Sequence, residues 1–168
     1  MAVELKFCGM TRETDVAQAV SLGSAYVGVI FAESPRRLDP AAARVVLAPS
    51  RGRAKAAGVF GPASVETIAS VAAETALDVV QLHGDPSPAT IDQMRLVFSG
   101  EIWAVIRIAG SDVPAEAAAL IAVADAVVLD AKIPGRLGGT GTAFDWEGVA
   151  KGAHACVVLD SRCTLDAG

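Results

Sequence analysis

Val127-Val128-Leu129 ends in Asp130, and a loop then leads to Gly138-Gly139-Thr140-Gly141 and on to Phe144-Asp145-Trp146. A short apolar run ending in a carboxyl, followed by a loop whose glycines let backbone N–H groups crowd together, sets an acid beside an anion. Asp145 is placed to cap a short helical pattern, so the glycines would lie just before a helix N-terminus, where phosphate binds well. Taken alone, the same stretch also reads as a glycine-rich turn after a buried strand. Other reactive or charged residues gather in the same way, at or just beyond the ends of apolar runs: Cys8-Gly9-Met10-Thr11, Ser34-Pro35-Arg36, His83-Gly84-Asp85 and Arg107. Singly, Cys8 is also a small buried hydrophobe, His83 a structural histidine and Arg107 one half of an ion pair. Arg37 and His154 read as surface.

The elements that must position these residues follow from periodicity. Val3 to Cys8 alternates with period two, and Thr11 to Val20 takes helical spacing with Thr11 as its expected cap. Gly23 closes that helix, and Ala25–Phe31 is a second apolar strand. Helix from Asp39 to Leu47, strand from Ala54 to Phe60, helix from Ser64 to Thr75 and strand from Asp78 to Leu82 come next. Then follow helix from Ser87 to Val97, strand from Ile102 to Ile108, helix from Val113 to Val123 and strand from Ala126 to Asp130. A weak helix around Trp146 precedes a strand from Ala155 to Leu159. Regular β-α alternation with apolar strands means parallel strands joined by right-handed crossovers. Chemistry at the ends of several strands favours a barrel, and no G-x-G-x-x-G follows the first strand as in a dinucleotide-binding sheet. The pattern yields seven strands, where a barrel of this type has eight.

At 168 residues the chain fits a single domain. Hydrophobic residues make up 52%, yet no apolar run reaches the roughly 18 residues of a membrane helix, so the richness belongs to a sheet buried on both faces. Met1 to Lys6 lacks a basic region followed by an apolar core, so the expected location is the cytoplasm. Cys8, Cys156 and Cys163 are an odd set without metal spacing, which favours reduced thiols. A net charge of -5 argues against a nucleic-acid binder, since such binding rests on a basic surface. A small phosphate needs only a local nest.

Taken in order, Lys6-Phe7-Cys8-Gly9-Met10-Thr11, Ser34-Pro35-Arg36, Gly58-Val59-Phe60, Asp78 through Gly84 and Gly138-Gly139-Thr140-Gly141 through Trp146 resemble phosphoribosylanthranilate isomerase of tryptophan biosynthesis. The resemblance implies a (βα)8 barrel of the TIM type. It implies an Amadori rearrangement of N-(5-phosphoribosyl)anthranilate, a small phosphosugar, without metal or organic cofactor. By the same resemblance Asp130 is the acid that protonates the departing ring oxygen and Cys8 the base that removes a proton from the adjacent carbon. An apolar strand end would keep Asp130 protonated, and Cys8 needs an electropositive neighbourhood such as nearby loop amides to act as thiolate. Arg36 matches the family's arginine, whose fork could pair with the anthranilate carboxylate. His83 would line the cleft, and Gly138, Gly139, Thr140 and Gly141 would bind phosphate.

After Trp146 the match thins. The family's seventh strand ends in an Ala-Gly-Gly-Leu type of turn that serves the phosphate, whereas Leu159 is followed here by Asp160-Ser161-Arg162-Cys163. The expectation is therefore one barrel domain over residues 1–168 that lacks its C-terminal part. Its first and seventh strands would be open edges through which copies of the chain could associate. Two alternatives stand beside an active isomerase. One is an inactive remnant or interaction module of the same fold. The other is a different phosphosugar isomerase or epimerase barrel, disfavoured because such enzymes commonly use metal-binding histidines and the chain has only two.

Overall fold

The computed structural model of the chain describes residues 3–108, 117–131 and 157–159. Strand and helix alternate as β1 (Lys6–Cys8), α1 (Glu13–Ser21), β2 (Tyr26–Ile30), α2 (Pro40–Val46), β3 (Lys55–Phe60), α3 (Val65–Thr75) and β4 (Val79–Leu82). The series continues with α4 (Pro88–Val97), β5 (Glu101–Ile108), α5 (Ala117–Val123), β6 (Ala126–Ala131) and β7 (Val157–Leu159), and a single 3-10 turn at Ala48–Ser50 follows α2. All pairings are parallel, and every strand lies beside its neighbours in the chain, in the order β1-β2-β3-β4-β5-β6-β7. A doubly wound sheet would reverse its order at a switch point, so this order belongs to a barrel.

Contacts across the sheet show that it curls. In a flat sheet β2 and β5 would stand roughly 14 Å apart at about 4.8 Å per strand. Yet the rings of Tyr26 on β2 and Trp103 on β5 meet edge to face with centroids 4.8 Å apart. Lys6 on β1 likewise donates to Gln81 on β4. Because side chains alternate along a strand, the two faces separate cleanly. Val27, Val29, Val80, Leu82, Ile102, Ala104, Ile106, Val127 and Leu129 pack outward with Val16, Ala43, Ile68, Ile91, Met94 and Leu120 of the helices. Ala57, Val79, Trp103, Val105, Ala126 and Val128 pack together inside, with Tyr26 against them. The inner floor is polar at its rim: Lys55 pairs with Glu101, whose other oxygen accepts from Trp103 Nε1 at 2.9 Å.

Helix starts follow local chemistry. Asp39, Ser64 and Ser87 each accept a hydrogen bond from the N–H three residues on, and proline at the first turn of α2 and α4 suits that position. Helix α1 differs from the expected cap at Thr11. Its N-cap is Arg12, which makes no capping bond but reaches Asp15 as an ion pair of 2.9 Å. Gly23, at φ +80, ends that helix by donating to Val20 O while Ser24 N donates to Ala19 O, a Schellman closure. Strand β1 begins at Lys6 rather than Val3, which is 89% exposed. Among the described residues no helix is long and apolar enough to cross a membrane. The expected helix near Trp146, together with His154, Cys156 and Cys163, lies outside them.

Candidate active site

The C-terminal ends of β1, β4, β5 and β6 bring together four of the residues singled out by type. Cys8 ends β1 on the same face as Lys6, which is interior, so its thiol also points inward. Gly28 is its partner on β2, and a Cβ there would stand 2.9 Å from Cys8 Sγ, so the absence of a side chain makes room for the sulfur. After Cys8 the chain turns sharply through Gly9, at φ +76, and Met10 N returns to Gly28 O at 2.9 Å.

Arg36 is brought over this turn by the loop after β2. Ser34 shapes the loop, its hydroxyl accepting from Arg36 N at 3.2 Å and its carbonyl from Arg37 N at 3.0 Å. Leu38 N donates to Ile30 O, which returns the loop to the end of β2. Arg36 Nη1 donates to the Cys8 carbonyl at 3.3 Å, and the guanidinium lies so close over Gly9 that a Cβ there would come within 2.3 Å of Nη1. Arg37 is exposed, as its surface reading expects.

Across the barrel, His83 N donates to Phe60 O at 2.7 Å, and the loop after β4 passes so near β3 that a Cβ on Gly84 would lie 2.6 Å from Pro62 N. His83 Nε2 is 3.2 Å from Asp130 Oδ2, with side chains only 11% and 7% exposed. The distance is that of a hydrogen bond but the alignment is not, and both atoms are buried without a hydrogen-bond partner among the described residues. Arg107 is paired in register with Asp130. Its Nη2 donates to His83 O at 3.1 Å, while its Nε, 3.5 Å from exposed Asp85, is also buried and without a hydrogen-bond partner among the described residues. Buried polar groups are ordinarily satisfied, and leaving one unpaired costs about 1–3 kcal/mol. Three such atoms at the ends of β4, β5 and β6 form a polar wall that faces inward at one barrel mouth.

Two interior residues add to the set without having been singled out. Lys6 Nζ is 3.7 Å from Cys8 Sγ, donates to Gln81 Oε1 and stands 5.3 Å from the centre of the Trp103 ring. Their signal in the sequence is slight: each sits two residues before a candidate, Lys6 before Cys8 and Gln81 before His83, and so shares its face. Gly138, Gly139, Thr140 and Gly141 lie outside the described residues. Among the described residues no group of three or more His, Cys, Asp or Glu is placed to hold a metal ion.

Known proteins resemble this chain in both sequence and fold. The family model described as N-(5'phosphoribosyl)anthranilate (PRA) isomerase matches residues 5–164. The N-(5'-phosphoribosyl)anthranilate isomerase of Bacillus velezensis is 34% identical over 165 residues, covering 98% of this chain and 76% of that protein. The enzyme of the same name from Bacillus subtilis is 35% identical over 164 residues, covering 98% and 75%. The crystal structure of phosphoribosyl anthranilate isomerase from Thermotoga maritima superposes with a TM-score of 0.82 at 25% identity, over 94% of this chain and 76% of that one. The chain is thus matched along nearly all of its length, and it belongs to the N-(5'-phosphoribosyl)anthranilate isomerase family.

Proposed function

We propose that this chain carries out the reaction of its family, the rearrangement of N-(5-phosphoribosyl)anthranilate to 1-(2-carboxyphenylamino)-1-deoxyribulose 5-phosphate in tryptophan biosynthesis, with Asp130 as acid and Cys8 as base. Asp130 gives its proton to the ribose ring oxygen as the bond from that oxygen to the anomeric carbon breaks, and the anilino nitrogen supplies the electron pair that forms the C=N bond. The Cys8 thiolate then takes the proton from the adjacent carbon, and its bonding electrons return through the C=N bond to nitrogen, leaving an enolamine. Loss of the enol proton and protonation of the former anomeric carbon give the ketone, so the product is an isomer of the substrate. Arg36 binds the anthranilate carboxylate through its fork, His83 and Arg107 face the sugar hydroxyls, and the Gly138-Gly139-Thr140-Gly141 loop takes the phosphate.

The observation that carries the assignment is the placement of two proton-transfer groups on one inner face, at the C-terminal ends of β1 and β6. Asp130 is 6% exposed, with His83 Nε2 3.2 Å from its carboxyl, so the acid is held at the mouth and away from bulk water. Turnover of phosphoribosylanthranilate into the aminodeoxyribulose product tests the reading. Turnover by the parent chain, with losses of a hundredfold or more in Cys8→Ser and in Asp130→Asn, supports it. A parent that turns nothing over defeats the activity, and either variant working within threefold of the parent defeats the role of that residue.

A further inference from the structure

We infer that Lys6 is the positioning residue that keeps Cys8 as a thiolate, an inference that rests on Cys8 being the base. Lys6 is half-buried on the inner face, where a charge is costly unless it is answered. Two of the neighbours of Lys6 are neutral: the Gln81 side-chain oxygen, which accepts from it, and the Trp103 ring, 5.3 Å from its nitrogen. The carboxylate of Glu101, on the same inner face, is engaged by Lys55 and by Trp103 Nε1. Among the described residues no carboxylate forms an ion pair with Lys6. Among the described residues the remaining neighbour is Cys8 Sγ at 3.7 Å, the distance of an N–H···S contact, and a thiolate there balances the ammonium. Gly28 holds this geometry from the other side, since a Cβ would crowd both Cys8 Sγ, at 2.9 Å, and Lys6 Cε, at 3.5 Å.

The other charges about Cys8 do not replace Lys6. Arg36, from the loop after β2, binds the Cys8 carbonyl rather than its sulfur. His83, Arg107 and Asp130 contact one another at the ends of β4, β5 and β6, and among the described residues none of them makes a hydrogen bond or ion pair with Cys8. Lysine therefore acts through cysteine. The proton removed from carbon goes to sulfur.

Lys6→Met removes the charge with little change of length, and Lys6→Arg keeps the charge. Alkylation of Cys8 by iodoacetamide, read by mass spectrometry on the peptide carrying Cys8, should slow about tenfold or more at neutral pH in Lys6→Met. The kcat should fall by a similar factor with KM within twofold, both rates should recover at the alkaline pH where a thiol ionises unaided, and Lys6→Arg should restore part of the loss. A purely structural lysine would leave alkylation unchanged or faster and would show no alkaline recovery, and that result overturns the inference. Should Lys6→Met fail to fold, the ultraviolet absorbance difference between parent and Cys8→Ser at neutral pH decides: a thiolate band supports the pairing, and its absence overturns it. Parental turnover by Cys8→Ser would instead remove the base assignment, while alkylation still judges the pairing of Lys6 with Cys8.

Discussion

Gly28 lies directly across the ladder from Cys8, and the position of its missing Cβ is 2.9 Å from the cysteine sulfur. The backbone at Gly28 does not require glycine, since its φ is not in the left-handed region. What the position requires is empty space. Gly28→Ala should therefore fold, with a stability loss of about 1–3 kcal/mol from overpacking, while pushing the sulfur off its line to the substrate. Activity should fall more steeply than stability, and a variant with parental kcat would show that the sulfur has room to move.

Arg36→Met should raise KM by about tenfold to a hundredfold, the worth of hydrogen bonds to a charged group, with a smaller change in kcat. Binding of a reduced product analogue and of inorganic phosphate, titrated separately, checks the placement. The analogue should weaken and phosphate should not. Equal losses for the two ligands would move Arg36 away from the anthranilate end.

Trp103 is 2% exposed at the centre of the inner cluster, with its ring against Tyr26 and its Nε1 on Glu101. Trp103→Ala should cost about 3–5 kcal/mol by leaving a cavity that the strands cannot close. Urea unfolding measures it, and a loss under about 1 kcal/mol would mean that the interior contributes little beyond the outer helix-covered core.

Stability should decline at alkaline pH. Burial, and then Glu101, push the Tyr26 phenol above its ordinary value of 10.0. The hydrogen bond to Glu101 pushes Lys55 above 10.5. In both cases the folded chain holds a proton that the unfolded chain releases first. The stabilisation is thus complete below about pH 10 and is lost as pH climbs through the raised values. Lys55 has a side chain 52% exposed, so solvent screens much of its share. The urea midpoint of Glu101→Gln should fall less steeply over this range than that of the parent, and parallel curves would count against the linkage.

Much of this arrangement can be read from local pattern, and the remainder cannot, for a physical reason. Strand alternation separates inner from outer residues because the period of two is enforced by the backbone itself, and Asp39, Ser64 and Ser87 announce helices because their side chains bond to atoms three residues away. Cys8, His83 and Asp130 declare themselves by ending apolar runs. Lys6 does not. Its surroundings are Gln81, 75 positions on, and Trp103, and only the curl of the sheet brings them together. Thr11 offers a capping hydroxyl, but the helix starts one residue later, where Arg12 reaches Asp15 instead.

The order of the sheet has a consequence for how the chain finds its fold. Because, among the described residues, each strand pairs only with the strands next to it in the chain, contact order stays low for a sheet protein, and growth can proceed unit by unit from any pair already formed. The side chains that tie distant units, Lys6 to Gln81 and Lys55 to Glu101 across 46 positions, can meet only once the curl is nearly complete. Substitutions at these interior links should therefore speed unfolding while leaving the folding rate almost unchanged, whereas substitutions between adjacent strands, such as β3 and β4, should slow folding itself.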